Sequence, residues 1–148
     1  MDALYDTNVW MALAFASHPH AQIALRHFEQ RDAENPAIFC RATQQSFLRL
    51  VTTSAIQQVY GSGLITNAMA WSKTQELLEL PQIQWRDEAE NLTELWGNLG
   101  GLDSASPKVW MDAYLAAFAI LHEIEFVTLD RDFKRFETAG LKLRLLNE

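Results

Sequence analysis

The segment that decides the fold is Phe126-Val127-Thr128-Leu129-Asp130, an apolar β-type run closed by an aspartate. A second run of this kind, Ala3-Leu4-Tyr5-Asp6, stands near the amino terminus. Before the run 126–130 lies Ser106-Pro107, a helix-capping residue followed by a proline suited to the first helical position. This pair predicts a helix over 107–123. A helix that leads into a buried strand is typical of a βαβ unit, so the sequence predicts an α/β fold with a mainly parallel sheet.

The remainder of the chain continues this alternation of short strands and longer helices. Strands are predicted at 3–5, 37–40, 126–129 and 141–146, with a weaker candidate at 83–85. Helices are predicted at 9–16, 21–30, 43–53, 66–80, 87–99 and 107–123, with Gly61-Ser62-Gly63 as a turn before the fourth of them.

Composition and charge restrict the class of protein. The 148 residues are 49% hydrophobic, so we expect a single domain spanning 1–148. One cysteine, Cys40, excludes a disulfide framework and a multi-cysteine zinc site. The sequence has neither a signal-peptide pattern nor about 18 consecutive apolar residues, and we therefore expect a cytoplasmic protein without membrane contact. A net charge of −7 argues against broad attraction to nucleic acid, although it does not exclude a nucleic-acid substrate.

Three aspartates stand where an ionised side chain disfavours folding unless it is solvated or paired. Asp6 and Asp130 follow predicted strands, and Asp112 lies within the apolar stretch 109–121. Ligands of parallel sheets bind beyond the carboxyl ends of the strands, and Asp112, in the second turn of its helix, is able to reach that edge. Because three neighbouring carboxylates repel one another, a divalent cation is the simplest neutraliser, and Mg²⁺ or Mn²⁺ suits an all-oxygen site.

These residues belong to a longer series of motifs, and their order and spacing give the chain a family resemblance. The chain resembles the PIN-domain ribonucleases, and among them the VapC-type toxins of bacterial toxin–antitoxin pairs. The resemblance covers nearly the whole length and rests on Leu4-Tyr5-Asp6-Thr7-Asn8-Val9-Trp10, His18-Pro19-His20, Thr43-Gln44-Gln45-Ser46-Phe47-Leu48-Arg49-Leu50, Asp112-Ala113-Tyr114-Leu115-Ala116-Ala117-Phe118-Ala119 and Val127-Thr128-Leu129-Asp130-Arg131-Asp132-Phe133.

The resemblance implies a three-layer α/β/α fold, a Mg²⁺ or Mn²⁺ cluster and hydrolysis of RNA phosphodiester bonds. It further implies an antitoxin protein as partner and a homodimer. By position, the acidic cluster is implied to be Asp6, Asp112 and Asp130, and Asn8 and Thr128 are implied to brace it by hydrogen bonds. The chain departs from the pattern at Gln44, where many relatives carry a glutamate. A neutral amide removes one negative charge there, although its carbonyl oxygen remains able to accept a hydrogen bond from a metal-bound water.

Other interpretations of the same residues stay open at this stage. Asp6 alone is explained as a helix cap, because aspartate is favoured at that position. The substitution at Gln44 and the acidic net charge allow a catalytically weak or silent PIN-like binding module. A phosphatase of the haloacid-dehalogenase type also begins with a strand-end aspartate, but its pattern requires a second aspartate where Asn8 stands.

Overall fold

A single parallel sheet forms the centre of the computed structural model, which describes residues 1–61 and 63–148. Its strands are β1 (Ala3–Tyr5), β2 (Ala37–Phe39), β3 (Ile83–Trp85), β4 (Glu125–Thr128) and β5 (Lys142–Leu145). The spatial order is β3-β2-β1-β4-β5, and every neighbouring pair is parallel. The chain therefore builds one half of the sheet outward from β1 and then returns to the other side of β1, which creates a switch in strand order between β1 and β4.

Helices cover both faces of this sheet. They are α1 (Thr7–Ala14), α2 (Ala21–Phe28), α3 (Arg41–Val51), α4 (Ser54–Tyr60), α5 (Asn67–Glu79), α6 (Leu92–Gly100), α7 (Pro107–Leu121) and a 3-10 helix at Arg131–Ala139. One buried core joins the sheet to α1, α2, α3 and α5, and the other joins it to α6, α7 and the 3-10 helix. The result is the predicted α/β fold with a parallel sheet, in the three-layer α/β/α arrangement that the family resemblance implies.

The central strands β1 and β4 are buried because apolar side chains leave both faces. Tyr5 and Val127 enter the core on the α1 side, whereas Leu4 and Phe126 enter the core on the α7 side. Each of these four side chains is 0% exposed. Burial on both faces is typical of parallel strands covered by helices on each side, and it explains why these segments are continuous apolar runs.

The predicted strands, including the weak candidate at 83–85, are all present, and the helices differ mainly at their ends. Helix α3 begins at Arg41 after Cys40 rather than after a capping Thr43, whose hydroxyl instead accepts a hydrogen bond from the Cys40 amide at 3.1 Å. Helix α6 begins at Leu92, later than predicted. The short helix α4 was not predicted, and the predicted turn at Gly61-Ser62-Gly63 lies in part outside the described residues.

Candidate active site

The switch in strand order brings the three predicted aspartates to one edge of the sheet. Asp6 directly follows β1, Asp130 follows β4 after one intervening residue, and Asp112 lies in the second turn of α7. The negative charges of Asp112 and Asp130 both act on Asp6, and that of Asp130 acts on Asp112. The carboxyl ends of two neighbouring strands and the first turns of α7 therefore form a single acidic cluster.

The hydroxyl of Thr128 is the hydrogen-bond centre of this cluster. It donates to Asp6 Oδ2 at 2.7 Å and accepts from the Asp130 amide at 3.0 Å and from Asn8 Nδ2 at 3.2 Å. Asn8 also accepts, through Oδ1, a hydrogen bond from the Leu129 amide at 3.2 Å. Because Thr128 is fully buried, these contacts hold Asp6 and the backbone before Asp130 in a fixed relation.

Asp6 is both a helix cap and the most buried of the three aspartates. Its Oδ1 accepts the Thr7 amide at 2.7 Å, which caps α1, and its residue is only 9% exposed. Burial raises the pKa of Asp6 to about 6, although the hydrogen bonds from Thr128 and Thr7 oppose the shift. The charges of Asp112 and Asp130 add to the increase. A carboxyl group with so elevated a pKa is stabilised as an anion by an added positive charge, and is therefore a good candidate ligand for a cation.

A lysine that the sequence analysis did not identify lies within this cluster. Lys108 Nζ is 2.7 Å from Asp130 Oδ2, 3.2 Å from Asp112 Oδ2 and 3.3 Å from Asp132 Oδ2. The hydrogen bond to Asp130 raises the pKa of Lys108 above its ordinary value, so the side chain is a permanent cation. Its position four residues before Asp112 on one helix was the available signal, because residues at that spacing share a helix face.

The two carboxylates that share Lys108 respond differently to it. Burial raises the pKa of Asp112, and the hydrogen bond and charge of Lys108 only reduce this shift. Burial also acts to raise the pKa of Asp130, but Lys108 and the Asp132 amide together hold it below its ordinary value. The difference follows from geometry, because Asp112 is the less exposed side chain (14% against 28%) and lies farther from the ammonium.

The cluster is not arranged as a ready set of metal ligands. Within residues 1–61 and 63–148, no three acidic, histidine or cysteine side chains are grouped so that they could hold an ion. Asp6 is engaged by Thr128 and the Thr7 amide, and Asp112 and Asp130 each direct an oxygen to Lys108. The donors are nevertheless all carboxylate oxygens, which Mg²⁺ and Mn²⁺ prefer. Asp112 and Asp130 already share one cation, the ammonium of Lys108, and the all-carboxylate chemistry of the cluster therefore fits a divalent ion.

Gln44 is buried in α3, but its side-chain oxygen is already engaged. Arg41 Nη1 donates to Gln44 Oε1 at 2.7 Å, and the residue is 4% exposed. The Arg41 guanidinium also lies over the Trp85 ring, 4.6 Å from its centroid. No hydrogen bond joins Gln44 to the three aspartates in the described part of the chain. Of the six predicted site residues, five are therefore connected by hydrogen bonds or mutual charge, and Gln44 is connected to Arg41 instead.

With this geometry in place, the fold and site define the class of protein. A sequence profile of the PIN domain matches residues 3–138, and the chain belongs to the PIN-domain family. The family predicted from the sequence motifs is thus confirmed.

Within this family, the chain is similar to individual VapC ribonucleases and to solved structures of VapBC complexes. Ribonuclease VapC41 of Mycobacterium tuberculosis is 41% identical over 144 residues, which cover 97% of each chain. Ribonuclease VapC31 of the same species is 30% identical over 134 residues, or 90% of this chain and 92% of the relative. Among solved structures, VapBC-1 from nontypeable Haemophilus influenzae superimposes with a TM-score of 0.68, at 14% identity and full coverage of both chains. At that identity the superposition supports the shared fold alone.

Proposed function

We propose that the protein is an endoribonuclease that hydrolyses RNA phosphodiester bonds with the aid of Mg²⁺ or Mn²⁺, as the toxin of a toxin–antitoxin pair. The observation that carries this proposal is the convergence of Asp6, Asp112 and Asp130 at the switch point of the sheet. Similarity to the VapC ribonucleases over nearly the whole chain supports the reaction class. Family membership also removes the support for a haloacid-dehalogenase-type phosphatase.

The roles of the residues follow from their surroundings. Asp6, Asp112 and Asp130 are the proposed metal ligands, and Thr128 and Asn8 hold Asp6 and the Asp130 backbone in position. When bound, the metal ion supplies Lewis acidity toward the phosphate and the attacking water. Lys108 keeps the carboxylates together in the absence of the ion and, once released from them, provides a cation for the phosphate of the substrate.

Gln44 bears on the number of ions and on the alternative of a silent binding module. Because Gln44 carries no charge and its oxygen already accepts from Arg41 at 2.7 Å, it is a weaker ligand than a glutamate, and we propose one ion for the site rather than two. A silent module would instead keep the fold and the Lys108 contacts without cleaving RNA. Cleavage of RNA by the purified protein distinguishes a ribonuclease from a silent binding module.

The proposed partners are an antitoxin protein and a second copy of the chain. Val59 on α4 and Leu64 after that helix are exposed apolar side chains of the kind that mark protein interfaces. No helix within residues 1–61 or 63–148 has the length and apolar character needed to cross a bilayer. The one cysteine is buried and unpaired, and we place the site of action in the cytoplasm.

Substitution of Asp6 tests the proposed function. In Asp6→Asn the amide oxygen still accepts the Thr7 hydrogen bond and caps α1, so the circular dichroism spectrum should stay nearly unchanged. The charge at the cluster is lost, and cleavage of end-labelled RNA in Mg²⁺ or Mn²⁺ should fall below detection. Addition of EDTA to the wild-type protein should have the same effect.

Asp32→Asn is the matched control, because it makes the same chemical change at another carboxylate that accepts backbone amides. Asp32 Oδ1 accepts the amides of Glu34 and Asn35 at 2.9 and 2.8 Å and lies outside the cluster. This variant should cleave like the wild type. Undiminished cleavage by Asp6→Asn would show that Asp6 is not needed for the reaction. Undiminished cleavage by the wild type in EDTA would show that the metal is not needed.

A further inference from the structure

A cleft opens between α3 and α7, directly beside the acidic cluster. Its volume is about 310 Å³, and its walls include Arg41, Trp96, Trp110 and Tyr114. Binding sites for small organic groups begin at about 300 Å³, so the cleft has room for one flat ring system with its substituents.

The cleft is continuous with the candidate active site through two residues of its lining. Thr7 lines the cleft and donates its amide to Asp6, and Met111 lines it immediately before Asp112. The cleft therefore borders residues that are next to Asp6 and Asp112 in the chain, which places it on the side of the acidic cluster.

The aromatic walls are held in defined orientations. Trp96 meets Trp110 edge to face at 6.1 Å between ring centroids and Tyr114 at 5.7 Å. Trp96 Nε1 donates to the Trp110 carbonyl at 2.8 Å. The Trp110 ring also lies against Gly100, where an added Cβ would be 2.7 Å from Trp110 Cε3. Although 47% exposed, Trp110 is thus positioned by its neighbours.

The net charge of the chain limits how strongly the protein attracts RNA through its phosphates. With a net charge of −7, the protein has little general attraction for phosphate, so an RNA substrate needs another source of affinity. Stacking of a base on an aromatic ring supplies it without requiring positive charge. The single guanidinium in the lining, that of Arg41, is fixed by its contacts with Trp85 and Gln44 and adds a hydrogen-bond donor for a base edge.

We propose that this cleft binds one unpaired nucleobase of the RNA, next to the phosphate that is cleaved, and that Trp110 is the stacking surface. The proposal rests on the proposed ribonuclease function. It makes Trp110 a determinant of substrate binding and predicts that cleavage occurs where a base can leave its helix, in a loop, a bulge or a single strand.

The test uses an RNA oligonucleotide that the wild-type protein cleaves at one mapped bond. Trp110→Ala should raise KM about tenfold and leave kcat nearly unchanged, as expected for the loss of one base–aromatic stack. Trp110→Phe retains an aromatic face and should recover most of the binding. Trp71→Ala is the matched control, because Trp71 is 52% exposed but lines a different cleft, beside Leu48 and Arg49.

Abasic nucleotides identify the base that stacks. Replacement of one nucleotide beside the cleaved bond by an abasic one should raise KM about tenfold for the wild type and have little further effect on Trp110→Ala. Gly100→Ala, which displaces the ring without removing it, should weaken binding in the same direction. Equal KM values for Trp110→Ala and Trp71→Ala, or abasic effects that add fully to that of Trp110→Ala, would overturn the proposal.

The failure of this proposal is distinct from failure of the proposed function. If the wild type cleaves the RNA but Trp110→Ala behaves like Trp71→Ala, the function stands and the cleft has another occupant, such as an apolar side chain of a protein partner. If the wild type cleaves no RNA, the nucleobase site is tested by fluorescence anisotropy, which measures the binding of a labelled single-stranded RNA in Mg²⁺. Tighter binding by the wild type than by Trp110→Ala supports the nucleobase site, and equal or absent binding overturns it.

Discussion

Replacement of Lys108 by methionine tests whether a lysine competes with a metal ion for the acidic cluster. Lys108 Nζ lies within 3.3 Å of three carboxylates, those of Asp112, Asp130 and Asp132. A divalent ion bound to Asp112 and Asp130 must take these oxygens from the ammonium. The free energy of the lysine contacts is therefore subtracted from the affinity of the ion.

The magnitude follows from the exposure of the contacts. Because the Lys108 side chain is 62% exposed, water screens its ion pairs strongly. Exposed pairs contribute about 0.2–1 kcal/mol each after this screening, so the two that the ion displaces, at Asp112 and Asp130, amount to roughly 1.4 kcal/mol. That free energy corresponds to a factor of about ten in a dissociation constant. Methionine keeps the apolar stem of the side chain and removes only the charge.

Two measurements follow. Isothermal titration calorimetry should find a Kd for Mn²⁺ about tenfold lower in Lys108→Met than in the wild type. In EDTA the variant should melt about 3–6 °C lower, since the carboxylates lose their cation and repel one another. Saturating Mn²⁺ should remove most of this difference, because ions that bind the folded state stabilise it by mass action.

Lys134→Met is the control for charge. Lys134 Nζ lies 2.7 Å from Glu148 Oε1, so the variant loses one positive charge and one short ion pair away from the cluster. It should bind Mn²⁺ like the wild type. An affinity of Lys108→Met that equals or falls below that of Lys134→Met, in a folded protein, would refute the idea that Lys108 and the metal exclude each other.

Two further predictions concern stability. Thr128→Val keeps the shape of a fully buried side chain but removes the donor to Asp6 and the acceptor for the Asp130 amide. The free energy of unfolding, measured by urea titration, should fall by about 2–4 kcal/mol. A loss below about 0.5 kcal/mol would contradict the central role of this hydroxyl. The His27 imidazole, whose Nε2 lies 3.6 Å from Glu125 Oε1, and the charges of Arg144 and Arg31 hold the pKa of Glu125 below its ordinary value of 4.5. The ionised Glu125 therefore contributes its full stabilisation above pH 4.5, and this contribution is lost as the pH falls through the lower pKa of the folded state. The difference in unfolding free energy between the wild type and Glu125→Gln should shrink between pH 6 and pH 3. A difference that stays constant over this range would show that the pKa of Glu125 does not change on folding.

Much of the fold was predictable from the sequence because its signals are local. Continuous apolar runs predicted the buried strands, and Ser106-Pro107 predicted the start of α7, which begins at Pro107. Helix α4 escaped prediction because its seven residues are too few for a clear apolar period. The late start of α6 has a similar origin, since the acidic residues ahead of it are compatible with a first helical turn and are not part of the helix.

Some residues of the candidate site were identifiable from the sequence, and others were not. Asp6, Asp112 and Asp130 were identifiable because charged residues interrupt apolar segments, and parallel strands bring their carboxyl ends to one edge of a sheet. Lys108 and the Arg41–Gln44 pair were not identified. A surface lysine or arginine has many possible partners, and the backbone orientation of the helix that carries it determines which carboxylate or amide lies within reach.

The order of apolar and acidic residues along the chain determined the α/β architecture, the parallel sheet and the identity of the acidic residues, because burial patterns repeat with the period of each secondary structure. Only the tertiary structure decided that Thr128 joins Asp6 across 122 positions, that Lys108 stands among three carboxylates and that Trp110 borders a cleft beside them. Such contacts depend on how helices and strands pack, and packing brings together side chains whose separation along the chain carries no signal of their proximity.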